Sequence, residues 1–95
     1  MGITRIVKMS FQQDYAEEFE IFFTKIQNQV ASQPGCNGVK LLKQVGETGV
    51  FFTYSSWNSE ADLNQYRQSE VFGMIWPKVK AWFVAKPEAW SVEEC

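Results

Sequence analysis

Apolar and polar side chains alternate from Ile3 to Phe11. Ile3, Val7, Met9 and Phe11 share one side, interrupted by Arg5, and Thr4, Lys8 and Ser10 share the other with Ile6. A period of two predicts a strand. After the short Gln12-Gln13 connection the period lengthens. Tyr15, Phe19, Phe22, Phe23, Ile26 and Val30 recur at offsets of four, seven, eight, eleven and fifteen, which is one helical face. Glu17, Glu18, Lys25, Gln27 and Gln29 occupy the opposite side. Asp14 and Glu17 have the approximate spacing of a capping box, so the helix is expected to begin at Asp14. Pro34-Gly35 ends it by breaker chemistry.

Alternation returns at Val39–Val45, with Val39, Leu41 and Val45 on one face and Leu42 on the other. Gly46-Glu47-Thr48-Gly49 is a hairpin connection. Val50–Trp57 is the third strand, with Val50, Phe52 and Tyr54 on one face and Phe51, Thr53 and Ser55 on the other. Aromatic residues on both faces predict burial on both. Ser59 and Asp62 form a second Ser-x-x-acid helix start, followed by Ala61, Leu63 and Tyr66. Ser69 is a further N-cap residue, after which Phe72, Ile75, Trp76, Val79, Trp82 and Phe83 repeat with helical spacing. Pro77 inside that stripe is expected to kink or restart the helix. Lys86-Pro87 turns the chain into a short fourth strand over Ala89–Glu93, with Trp90 and Val92 on one side. The order β-α-β-β-α-β, with its second helix in two pieces, is the ferredoxin-like α+β arrangement.

Composition narrows the chemistry. Ninety-five residues make one domain. A 45% hydrophobic content with 21% charged residues is ordinary for a globular chain and excludes disorder. So short a chain buries only roughly 60–65% of its unfolded surface, so a partner subunit would add stability. Sixteen per cent of the residues are aromatic, more than one small core needs, and the second sheet face requires a cover. A second copy of the chain is the simplest one. Net charge is −2 without a basic block, which argues against nucleic acid. No run reaches the ~18 apolar residues of a membrane span. The alternation of Met1–Ser10 is not the apolar core of a signal peptide.

There is no histidine, which removes a histidine-based nucleophilic triad, a Cys–His pair, His-ligated zinc and proximal-His haem. Cys36 and Cys95 cannot form a four-ligand metal site or a disulfide framework, and read as reduced thiols of a cytoplasmic protein. No Gly-rich phosphate loop is present, so no metal, haem or flavin cofactor is expected.

Several pieces in order resemble the antibiotic biosynthesis monooxygenase family of dimeric α+β barrels. They are the strand Ile3–Phe11, Pro34-Gly35-Cys36, Tyr54-Ser55-Ser56-Trp57-Asn58-Ser59, then Leu63 and Ser69-Glu70-Val71-Phe72. The resemblance covers about residues 3 to 93. It implies a dimer with facing sheets and a ligand cleft in each subunit between sheet and helices. The family includes cofactor-free oxygenases of quinols and polycyclic phenols, haem-degrading enzymes, and proteins acting on small signalling molecules. Many members carry a histidine near the position of Tyr66. The haem-degrading branch has tryptophan there and an iron-ligating histidine ten residues later, where this chain has Trp76. Haem degradation through that ligand is excluded by residue type.

The expected cleft lies between the sheet and the broken second helix. Phe23, Tyr54, Trp57, Phe72 and Trp76 are the candidate substrate-binding residues, and Tyr66 is the candidate catalytic group. An apolar aromatic pocket with few polar groups suits a small aromatic ligand. Each residue also has a plainer reading. Trp57, Trp76 and Phe23 fit the core, and Tyr66 fits a half-buried tyrosine. Arg67, adjacent to Tyr66, either stabilises an anion or is a solvated surface side chain. With an ordinary pKa near 10, Tyr66 is a donor or orienting group rather than a base. Arg5 must pair with a carboxylate, reach the rim, or bind an enolate or phenolate. Two functions remain open: a cofactor-independent monooxygenase of a small aromatic, quinol-like or enolisable molecule, and a non-catalytic binding or sensing domain.

Overall fold

The alternating N-terminal stretch is β1, Ile3–Ser10. The computed structural model of the chain describes residues 2–95; Met1, the first residue of the stretch read for a signal peptide, lies outside them. A 3₁₀ turn, Gln13–Tyr15, leads into α1, Ala16–Ala31, and then β2, Cys36–Lys43, and β3, Val50–Trp57. Two helices follow, α2 at Glu60–Arg67 and α3 at Glu70–Lys80, before β4 at Glu88–Val92. The strands form one antiparallel sheet in the order β2-β3-β1-β4, the ferredoxin-like arrangement.

Register separates the two faces. Ile3 pairs with Trp57, Val7 with Thr53 and Met9 with Phe51, which puts these side chains on the helix side. Thr4, Ile6, Lys8 and Ser10 oppose Ser56, Tyr54, Phe52 and Val50 on the outer side. Burial follows that division. Met9, Phe11, Phe19, Phe23, Val30, Val39, Phe51, Ile75 and Val79 form the core between sheet and helices. On the outer face Tyr54 is 37% exposed, and Leu42, Trp90 and Val92 are exposed as well. Within one chain β3 is therefore covered on one face, not two.

Four further expectations need correction. Helix α1 starts at Ala16 without a side-chain cap, because Gln13–Tyr15 is taken up by the 3₁₀ turn and Asp14 supplies no capping bond. Tyr15 leaves the helical stripe and stacks on Trp82 at 5.7 Å. Strand β2 ends at Lys43, so Val45 lies in the hairpin and is almost wholly exposed. Pro77 does not restart the helix: it lies inside α3, which runs on to Lys80. The carbonyl it leaves unpaired belongs to Gly73, an exposed residue beside open space, where water can satisfy it.

The serine caps form as their spacing predicts. Ser59 Oγ accepts from the Asp62 amide at 3.2 Å and donates to the Asp62 carboxylate at 3.0 Å. Ser69 Oγ accepts from the Phe72 amide at 3.2 Å. Two caps ten residues apart break the helical layer between Arg67 and Glu70. Gly35 fixes the start of α2 against the α1–β2 turn. Its φ of +81° suits glycine, and a Cβ there would meet the Asp62 side chain at 2.3 Å.

Candidate ligand cavity

A cavity of about 300 Å³ lies between the helix side of the sheet and the three α-helices. That is at the lower end of the range for small-molecule sites. The floor is Arg5, Val7 and Met9 from β1, Val39 from β2, and Thr53 and Ser55 from β3. Helix α1 contributes Phe19, Phe23, Ile26 and Val30. The broken layer contributes Leu63, Tyr66 and Arg67 from α2, and Phe72, Ile75, Trp76 and Val79 from α3. Pro87, Glu88 and Ala89 close the β4 side.

The break between α2 and α3 creates this geometry. A continuous helix would keep one stripe on the sheet, whereas two caps let α2 and α3 present separate faces. An aromatic series follows the break. Tyr66 stacks on Trp57 with centroids 5.2 Å apart, and Phe72 meets Tyr66 edge-on at 5.3 Å. Trp76 then stacks on Phe72 at 5.7 Å.

Four of the six residues proposed from sequence, Phe23, Tyr66, Phe72 and Trp76, border the cavity. The other two do not. Tyr54 is on the outer face, opposite Ile6 and beneath the Lys40 ammonium at 6.0 Å. Strand alternation puts its neighbours Thr53 and Ser55 in the cavity instead. Trp57 shares the cavity's face but is only 1% exposed, because Tyr66 covers it. Its indole N–H donates to Ser55 Oγ at 2.9 Å, and Ser55 Oγ donates to the Arg5 carbonyl at 3.4 Å. Trp57 thus backs Tyr66 rather than lining the space. Phe22 and Phe23 diverge: Phe23 is buried beside the cavity, while Phe22 meets Trp82 at 5.9 Å and lies under Lys78.

A family model for antibiotic biosynthesis monooxygenase matches residues 2–76. The chain belongs to that family. No curated protein matches it in sequence. A conserved protein from Methanosarcina mazei Go1 has the same fold, with a TM-score of 0.92 and 16% identity over 100% of this chain and 94% of that one. A Mycobacterium tuberculosis protein, Rv0793, gives 0.89 and 12% over 100% and 96%. SnoaB, a cofactor-independent oxygenase from Streptomyces nogalater, gives 0.86 and 16% over 98% and 92%. At these identities the likeness is one of fold.

Two polar groups in the cavity lining, Tyr66 and Arg5, have shifted pKa values. Burial pushes the Tyr66 phenol up to about 12, with Cys36 adding to the rise. Its hydroxyl has no hydrogen-bond partner among the described residues, and no side-chain oxygen or nitrogen there is both buried and unpartnered. The hydroxyl therefore faces open space, and the space it borders is the cavity. At neutral pH it is a protonated donor. Arg5 occupies the helix-side row between Ile3 and Val7, flanked across the sheet by Ser55 and Ser91. Its Nη1 donates to Ser91 Oγ at 3.0 Å. Burial lowers the pKa of its guanidinium, and Arg67 lowers it further, while Glu60 opposes them. The sequence places Thr53 and Ser55 on one face of β3 without assigning them to the cavity, and leaves Arg67 between a surface side chain and an anion-stabilising group; the structure puts all three in the lining. The alternation of Ser55 with Phe51 and Trp57 was the available signal. Nothing local to Arg67 indicates a cavity.

Among the described residues, no group of three or more Cys, Asp or Glu side chains gathers to hold a metal, and no helix is long and apolar enough to cross a membrane.

Proposed function

We propose that this family member is a cofactor-independent monooxygenase of a small aromatic, quinol-like or enolisable molecule. The observation that carries the reading is the aromatic cavity itself. Phe23, Phe72 and Trp76 offer flat apolar walls, and the Tyr66 hydroxyl is a free neutral donor at the same space. An electron-rich phenolate or enolate can pass an electron to dioxygen without a metal or flavin. For a substrate methylene, one oxygen atom becomes the new carbonyl and the other leaves as water with the two hydrogens. The substrate supplies all the electrons, so no external reductant is needed. The protein's part is to orient the ring, exclude bulk water and favour the anion electrostatically. Tyr66 would hold a substrate oxygen by donating to it, and Arg5 would favour ionisation. Membership of the family supports this reading, as does the fold shared with SnoaB.

A specific observation favours a second reading, a non-catalytic binding domain. Tyr66 is pushed away from the range of a neutral-pH base. Glu88, the one acidic residue in the lining among the described residues, pairs with Lys8 at 3.9 Å on the outer sheet face. Oxygen-electrode traces with hydroquinones and anthrone discriminate between the two. Uptake above the uncatalysed rate, with one dioxygen per substrate, is expected for the monooxygenase. Saturable binding of the same compounds without oxygen uptake would leave the binding domain.

The working unit in this proposal is a homodimer joined through the outer sheet face, where Ile6, Phe52, Tyr54, Leu42, Trp90 and Val92 form an uncovered apolar surface. The unpaired thiols Cys36 and Cys95 suit a reducing compartment, the cytoplasm.

A further inference from the structure

The cavity's charged lining is unbalanced. The chain has eleven acidic residues against nine Lys and Arg, so carboxylates are not scarce. The cavity nevertheless has two arginines, Arg5 and Arg67, and one acidic residue, Glu88, which stands opposite Lys8 in the register and so shares its outer face. Glu88 is already an ion-pair partner of Lys8. Among the described residues neither arginine has a carboxylate within ion-pair distance; the ion pairs there are Lys8–Glu88 and Lys43–Glu20. Glu60 attracts Arg5 only from farther away.

Placement adds to the charge count. Arg5 is in a central strand on the helix side, where its row-mates Val7 and Met9 face the core. Its cross-strand neighbours are both serines, and its guanidinium donates to one of them, Ser91 Oγ, at 3.0 Å through a single nitrogen. Arg67 is exposed and borders the same cavity, which makes this end the mouth. Two like charges brought together there repel one another, and an anion between them would relieve that repulsion. Guanidinium groups present paired N–H donors that match the two oxygens of a carboxylate. Behind them the walls are apolar and aromatic.

We propose that the cavity takes flat aromatic acids, with the carboxylate at the mouth between Arg5 and Arg67 and the ring system inside against Phe23, Phe72 and Trp76. This names the substrate class of the site described above and rests on that site being a ligand cavity.

The test is anaerobic calorimetric titration of the full-length protein with 2-naphthoate and with its neutral counterpart 2-naphthamide. The acid is expected to bind at least about tenfold more tightly, the scale of a hydrogen bond to a charged group. Arg5→Gln and Arg67→Gln should each weaken naphthoate binding several-fold and naphthamide binding by a smaller factor, narrowing the preference for the acid, and Arg5→Lys should restore part of that preference. Should Arg5→Gln fail to fold, the exposed Arg67→Gln variant still decides the matter. Equal affinities, a preference that survives both glutamine variants together, or no binding of either compound would overturn the proposal. The oxygen-uptake assay reads the other question separately. Turnover of neutral quinols without any preference for acids would keep the monooxygenase reading and discard this one. A preference for naphthoate without oxygen uptake would do the reverse.

Discussion

Tyr66 combines two roles that its residue type leaves open. Its ring is packed between Trp57 and Phe72, and its hydroxyl stays free at the cavity. Tyr66→Phe removes the donor while keeping the ring stack. Affinity for a bound quinol should fall by about 0.5–1.5 kcal/mol, the net worth of a neutral hydrogen bond, and thermal stability should change little. Calorimetric titration of both proteins measures this, and unchanged affinity would remove the donor role. The raised pKa gives a second prediction. The folded protein holds the phenol protonated to about 12, against 10.0 for an unperturbed tyrosine. Between these values the unfolded chain has lost the proton and the folded chain retains it. Stability contributed by the neutral phenol is complete below pH 10 and is lost as pH rises towards 12, by roughly 2–3 kcal/mol. Urea unfolding across that range should show a steeper alkaline decline in the wild type than in Tyr66→Phe.

The helical layer depends on its stops as much as on its stripes. Ser69 accepts from the Phe72 amide and donates to the Tyr66 carbonyl at 2.6 Å, so one side chain ends α2 and begins α3. Ser69→Ala should cost about 1 kcal/mol in stability and weaken ligand binding with it, because the break it maintains shapes the cavity. A lowered Tm with unchanged affinity would show that the break persists without the cap. Gly35 acts at the other end of α2. Gly35→Ala strains a positive-φ position and drives a methyl group into Asp62, so a loss of about 1–3 kcal/mol by chemical denaturation is expected. The capping pattern was legible at Ser59 and Ser69, where helix start and hydrophobic stripe agree. It misled at Asp14, where Tyr15 stacks on Trp82 and a 3₁₀ turn takes up the connection. That contact joins residues far apart in the chain, and no local spacing encodes it.

At the scale of the whole molecule, the outer sheet face carries the next expectation. Phe52 and Tyr54 on β3, Ile6 on β1 and Trp90 on β4 sit together across the register, with the edge residues Leu42 and Val92 beside them. An uncovered face of this kind in a short chain favours self-association. Light scattering should give a dimer at micromolar concentration, and Phe52→Asp, which places a charge at the centre of the face, should yield monomer. A wild-type monomer would discard the dimer and leave those aromatics without a cover.

Periodicity, breakers and caps by themselves determined the order of strands and helices, the row that Arg5 shares with Val7 and Met9, and the division of the second helix. These are local properties: a side chain's face follows from its offset along one element, and a cap from residues three apart. Local pattern also brought Phe23, Phe72 and Trp76 toward a common region. Only the tertiary structure decided that Tyr54 faces away, since both faces of β3 are aromatic and only packing against α1 and α3 selects the inner one. It alone placed Trp57 behind Tyr66, freed the Tyr66 hydroxyl, and brought Arg67 to the cavity mouth beside Arg5. Those facts depend on distances between residues on different elements, from Trp57 and Tyr66 nine positions apart to Arg5 and Arg67 sixty-two apart, which the chain fixes only when its elements pack.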